Sequence, residues 1–130
     1  MNWYDACDNP KVIAGYYSSP PALERLEVRS IVLDGEAPVL RLSALLPVFP
    51  DRPSKRWQTD TNMAEIGIDL WCPAEVRIEG WSKRVAGTFS LQRAAPQRLT
   101  FIFRSDTTFI QGICVAARIS GVTGYVRRNA

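Results

Sequence analysis

From Ala64 to Leu70 the chain alternates strictly, with Ala64, Ile66, Ile68 and Leu70 on one parity and Glu65 and Asp69 on the other. A helix, with its period of 3.6, would scatter these apolar residues around its axis, whereas a strand gathers all of them on one face. The same period returns along the chain. Leu26, Val28 and Val32 alternate with Arg25, Glu27 and Arg29. Leu40, Leu42 and Leu46 oppose Arg41 and Ser43, and Leu99, Phe101 and Phe103 share a parity. Turn formers at Asp34-Gly35, Pro38, Cys72-Pro73-Ala74, Pro96, Asp106 and Gly121 to Gly124 separate these runs at intervals of ~8 to 12 residues. This predicts a mainly β fold, an antiparallel sandwich or strongly curled sheet of about eight strands, with one short N-terminal helix, in a single domain over 1-130.

Several local expectations follow. Asn9 reads as an N-cap with Pro10 at the first helical position, and Val12, Ile13, Tyr16 and Tyr17 share one helical face before Pro20 and Pro21 stop it. That face is expected to cover the outward side of Trp71 and Trp81. Cys72-Pro73-Ala74 reads as a hairpin turn into Glu75 to Trp81, placing Leu70 opposite Val76, Ile68 opposite Ile78 and Asp69 opposite Arg77 as an outer-face ion pair. Short strands are expected at Thr88 to Gln92 and Leu99 to Arg104. Thr108 to Ser120 is so apolar that it reads as a central strand covered on both faces, and Gly121 to Gly124 as a turn into a last strand, Tyr125 to Arg128.

Composition excludes several chemistries. The 130 residues contain no histidine, which removes every His-based triad, general base and metal site. Cys7, Cys72 and Cys114 form no CxxC; Cys72 and Cys114 read as small buried residues in strands, not disulfide partners. No phosphate-cradling glycine motif and no calcium loop is present, so no cofactor is expected. The paired carboxylates Glu65 and Asp69, with Glu79 on the neighbouring strand, are the one arrangement a hydrolase could use, yet alternating charges are also how a sheet keeps its outer face wet. Sixteen basic and 13 acidic residues give a net charge of +3 with the signs interspersed, unlike the basic stripe of a nucleic-acid binder. No apolar run reaches the ~20 residues of a membrane span, and Asp5 and Asp8 stand where a signal peptide carries cations. A cytoplasmic protein without nucleic-acid or membrane partners is expected, and a homodimer is compatible with this composition.

The segment from Pro47 to Thr61 has neither period. It carries Pro47, Pro50 and Pro53, an aromatic, Trp57, the cations Arg52, Lys55 and Arg56, and the acids Asp51 and Asp60. Prolines restrict its unbound conformations, and Trp and Arg are the residue types that anchor protein interfaces. Asp51, Arg52, Lys55, Arg56 and Trp57 are therefore candidate partner-binding residues. The other reading makes Trp57 a lid folded onto the sheet, and places the partner on the outer face around Asp69, Arg77 and Glu79.

Trp3 and the N-terminal helix, Pro21-Ala22-Leu23 before the first strand, Phe49-Pro50-Asp51-Arg52-Pro53 followed by Trp57, Asn62 before an alternating strand, and Gly80-Trp81 occur in an order that resembles the immunity protein 50 family of bacterial polymorphic toxin systems. The ordered likeness spans about the first two thirds of the chain. It implies a non-catalytic protein that binds and neutralises a cognate protein toxin. An interaction or ligand-binding β-domain of another system, or a small carboxylate hydrolase, are the alternatives the residues alone leave open.

Overall fold

In a computed structural model, residues 2–128 are described. A 3-10 turn at Trp3–Ala6 and a short helix α1, Lys11–Ala14, precede eight strands: β1 Leu26–Asp34, β2 Val39–Leu45, β3 Met63–Trp71, β4 Ala74–Glu79, β5 Val85–Ala95, β6 Arg98–Ser105, β7 Phe109–Cys114 and β8 Ala116–Tyr125. All pairings are antiparallel, in one unclosed sheet ordered β4-β7-β6-β5-β1-β2-β3-β8. The strongly curled sheet expected from the alternation is what forms.

Its curl comes from one bent ribbon. β3 continues into β4 through Cys72 and Pro73, β7 continues into β8 through Val115, and the two long strands pair from Met63↔Tyr125 to Trp71↔Ala116 and again from Ala74↔Ile113 to Glu79↔Phe109. At the corner Cys72 and Glu75 adopt left-handed φ values of 54° and 53°. The Cys72 N–H leaves the ribbon and donates to the Pro38 carbonyl at 2.8 Å, while Val115 N–H donates to Trp71 across the bend at 2.9 Å. One half of the ribbon thus forms one end of the sheet and the other half the opposite end.

This corrects the expected hairpin. Cys72-Pro73 bends a strand without reversing it, so β3 and β4 do not pair and Asp69 does not face Arg77. Asp69 lies between Arg41 of β2 and Arg118 of β8, and Arg77 lies opposite Gln111 of β7. Nor is Thr108 to Ser120 one central strand. It is two strands, β8 being an end strand, and each buries one face: Ile110 and Cys114 in β7, then Ala117, Ile119 and Val122 in β8. The bend at Val115 and a bulge near Gly67/Ile68 each shift the parity, which makes two one-sided strands look like one uninterrupted apolar run. β8 runs through Gly121 and Gly124 to Tyr125, so Gly121 to Gly124 is no turn, and no separate strand follows among the described residues. In β1 a register shift between Val28 and Ser30 ends the alternation, leaving Val32 and Leu33 exposed although Val32 was expected inward. Cys72, expected to be buried, is exposed at the corner.

The concave side is filled from the strands and from the N-terminal segment. Leu40, Leu42, Ile66, Ile68, Leu70, Leu99, Phe101 and Phe103 share one cluster with Trp3, Ala6, Cys7, Ile13 and Tyr17. The helical segment therefore packs inside the curl, not over Trp71 and Trp81, and Trp81 stays exposed. Asn9 does not cap the helix with its side chain. Its carboxamide donates to the Ile119 carbonyl and accepts from the Ile119 N–H, both at 2.8 Å, and Asp8 N–H donates to Ala117 at 2.8 Å. A carboxamide presents the donor and acceptor of a peptide group, so Asn9 closes the open edge of β8 as a neighbouring strand would. Burial pushes the Cys7 thiol up to about 12 and that of Cys114 up to about 11. No helix among the described residues is long and apolar enough to cross a membrane.

Candidate partner-binding surface

The Pro47 to Thr61 loop is tied down by the residues that made it a candidate. Trp57 stacks on Tyr16 with centroids 5.6 Å apart and planes at 9°, and meets Phe49 edge-on at 6.2 Å. The indole lies so close to β8 that a Cβ on Gly124 would sit 2.8 Å from it. Arg52 donates to the Ala14 carbonyl and the Ser18 hydroxyl, both at 3.0 Å, and its N–H donates to Tyr16, also at 3.0 Å. Asp51 accepts from the Ser18 N–H at 2.9 Å and from the Ser18 hydroxyl, which holds its carboxyl below the usual range. Asp51, Arg52 and Trp57 thus fix the loop against the segment after α1. Lys55 and Arg56 are exposed, and neither side chain has an ion-pair partner among the described residues.

The loop borders the outer face of β1, β2, β3 and β8. Alternation that turns Leu40, Leu42 and Ala44 inward turns Arg41, Ser43 and Leu45 outward. Two cross-strand rows result: Val32, Arg41, Asp69, Arg118, and Glu27, Leu45, Glu65, Thr123. Arg127 donates to both carboxylate oxygens of Glu27, Arg29 pairs with Glu65 at 2.6 Å, and the Arg29 guanidinium lies 4.3 Å from the Tyr125 ring centroid. Leu45 is fully buried although its parity turns it outward. The Asn62 carboxamide exchanges two 2.8 Å bonds with the Arg127 backbone, and Arg128 reaches Asp60 at 3.1 Å, which joins the loop's end to this face.

The remaining candidates are divided. Asp69 lies on this face, 4.0 Å from Arg41. Arg77 and Glu79 pair with each other at 2.5 Å on β4, at the far end of the strand order. Glu79 is not on a strand next to Glu65 and Asp69, so the carboxylate set weighed for hydrolysis is not assembled. Glu27, Arg29, Tyr125 and Arg127 also meet on this face. The alternation turns Glu27 and Arg29 outward, but no local signal brings residue 127 to residue 27.

Hydrogen bonds from Arg127 are the main cause holding the Glu27 carboxyl below its ordinary value of 4.5, with the nearby Arg84 and Arg29 charges adding to them. A carboxyl lowered on folding stabilises the folded state above its unfolded value, and that contribution disappears as pH falls through the folded value. Glu27→Gln is therefore expected to lower the urea midpoint at pH 7 and to lose that deficit toward pH 3. A deficit independent of pH would show that the Arg127 pair does not carry it.

Structurally, then, this is a curled antiparallel sheet with a braced loop beside a face of paired charges, and no cluster among the described residues could hold a metal ion. The chain matches the family model described as Immunity protein 50 over residues 9–125, and it belongs to that family. The match runs beyond the first two thirds to the end of β8. No curated protein and no solved structure matches it.

Proposed function

We propose that this protein neutralises a cognate protein toxin by binding it, without catalysis, as the cytoplasmic immunity component of a bacterial polymorphic toxin system. Membership of the Immunity protein 50 family over residues 9–125 carries this reading. The contact surface we assign runs from Lys55 and Arg56 across Arg127 and Tyr125 to Arg29. Arg and Tyr are residue types that dominate interface energetics, and a loop already fixed by Asp51, Arg52 and Trp57 loses little freedom on binding. Lys55 and Arg56 form a cationic rim, which suits an acidic partner surface and speeds its approach.

The test is growth rescue in cells that express, together with this protein, the C-terminal domain of the protein encoded by the neighbouring open reading frame. Wild type is expected to protect. Lys55→Glu with Arg56→Glu is expected to slow association by about tenfold at low salt, with the thermal midpoint unchanged because both side chains are exposed. Failure of the wild type to protect would overturn the function. Normal association by the double variant would move the surface elsewhere, toward Asp69 and Arg41.

A further inference from the structure

The two terminal strands of the sheet are finished differently. The β8 edge is closed by Asp8 and Asn9, whereas β4 pairs only with β7, and its other backbone edge has no partner among the described residues. An apolar row also stops unfinished there. Phe103, Ile110 and Ile78 lie opposite one another on β6, β7 and β4, and their exposures are 1%, 3% and 42%. Trp81, just beyond β4, is 51% exposed. An added strand at this edge would cover Ile78 and continue the row.

We infer that the added strand is β4 of a second copy, paired antiparallel about a two-fold axis through Ile78. The sequence Val76-Arg77-Ile78-Glu79-Gly80 is self-complementary in that register. Ile78 meets its own copy, Arg77 of each chain meets Glu79 of the other, and Val76 meets Gly80. Directly opposed residues have Cβ atoms ~4.5 to 5.5 Å apart, close enough for both ion pairs. Arg77 and Glu79 are 62% and 60% exposed and already pair within the strand, so four charges of alternating sign would close around the axis.

Charge and backbone together select this register: a pair centred on Val76 would also join Arg77 to Glu75, but the left-handed φ of 53° takes Glu75 out of extended geometry. Centring the pair on Arg77 would oppose Arg77 to itself and Glu75 to Glu79 twice. Centring it between residues would set the outer face of one copy against the inner face of the other. The interface is isologous, as two-fold dimers require. The left-handed Glu75 and Gly80 confine the ladder to a few residues, so the dimer is expected to dissociate on dilution.

Sedimentation equilibrium over a concentration series tests this, with circular dichroism confirming that each variant folds. The wild-type mass is expected to rise from one chain toward two. Arg77→Glu alone and Glu79→Arg alone each oppose like charges and are expected to stay monomeric over the same range. Mixing these two variants restores both ion pairs and is expected to give a heterodimer, and the chain carrying both changes is expected to dimerise again. A wild type that stays monomeric, single variants that dimerise like it, or a mixture that fails to recover would each overturn the proposal. If β4 instead takes a strand of another protein, the wild type stays monomeric on its own. The toxin test does not depend on this outcome.

Discussion

Replacing Phe101 by alanine is expected to cost about 3 to 5 kcal/mol of folding stability. Against the ~5 to 15 kcal/mol typical of folded proteins, that is a large share. Phe101 is 1% exposed and lies on β6 between Leu91 and Gly112. Its ring rests where a side chain on β7 would begin, since a Cβ on Gly112 would stand 2.5 Å from the ring's Cζ. Removing the ring leaves a cavity floored by backbone, which neighbouring strands cannot fill without breaking their ladders. Gly112→Ala attacks the same contact from the other side, and is expected to cost about 1 to 3 kcal/mol by forcing the ring out of place. The two sites therefore couple: Phe101→Leu with Gly112→Ala should cost less than the sum of the single changes. Urea unfolding of the four chains measures this, and strictly additive costs would show that the ring does not depend on the missing Cβ.

Trp57→Ala is expected to lower stability by about 2 kcal/mol, below the full core value because the indole is only partly buried. The stack on Tyr16, the edge contact with Phe49 and the cover over Gly124 would all be lost, leaving the Asp51 and Arg52 hydrogen bonds to hold the loop. Limited proteolysis should then cut after Lys55 or Arg56 faster than in the wild type. An unchanged thermal midpoint together with unchanged cleavage would show that the indole contributes nothing to the loop. Trp57 packs on Tyr16, Phe49 and β8, so a binding defect in this variant would not by itself identify a contact residue.

The strand faces could be read directly, because side-chain alternation is a local consequence of extended backbone. Leu40, Leu42, Ile66, Ile68, Phe101 and Phe103 all point inward as the alternation requires. Connectivity could not be read the same way. A proline between two alternating runs is equally compatible with a reversal and a bend, and what decides at Cys72-Pro73 is the distant Pro38 carbonyl together with the partner strand turning at Val115. Asn9 illustrates the same limit. Its residue type favours a helix cap, but an edge more than a hundred residues away offers it two bonds. At the candidate surface, the loop stood out through proline, tryptophan and charge. Composition could not say that Asp51 and Arg52 bond back to residues 14–18 while Lys55 and Arg56 have no ion-pair partner among the described residues.

The bent ribbon also governs when the chain can complete itself during synthesis. Both β3 and β4 depend on the segment from Phe109 to Tyr125, which leaves the ribosome well after them. Until it arrives, β4 has no partner strand, β3 is paired on one side at most, and the curl has no means of holding its two ends. Pairings of such long range form slowly, over ~milliseconds to seconds. The nascent chain, carrying the alternating apolar strand Ala64 to Leu70 with an unpaired edge, is thus more prone to aggregate than the finished protein.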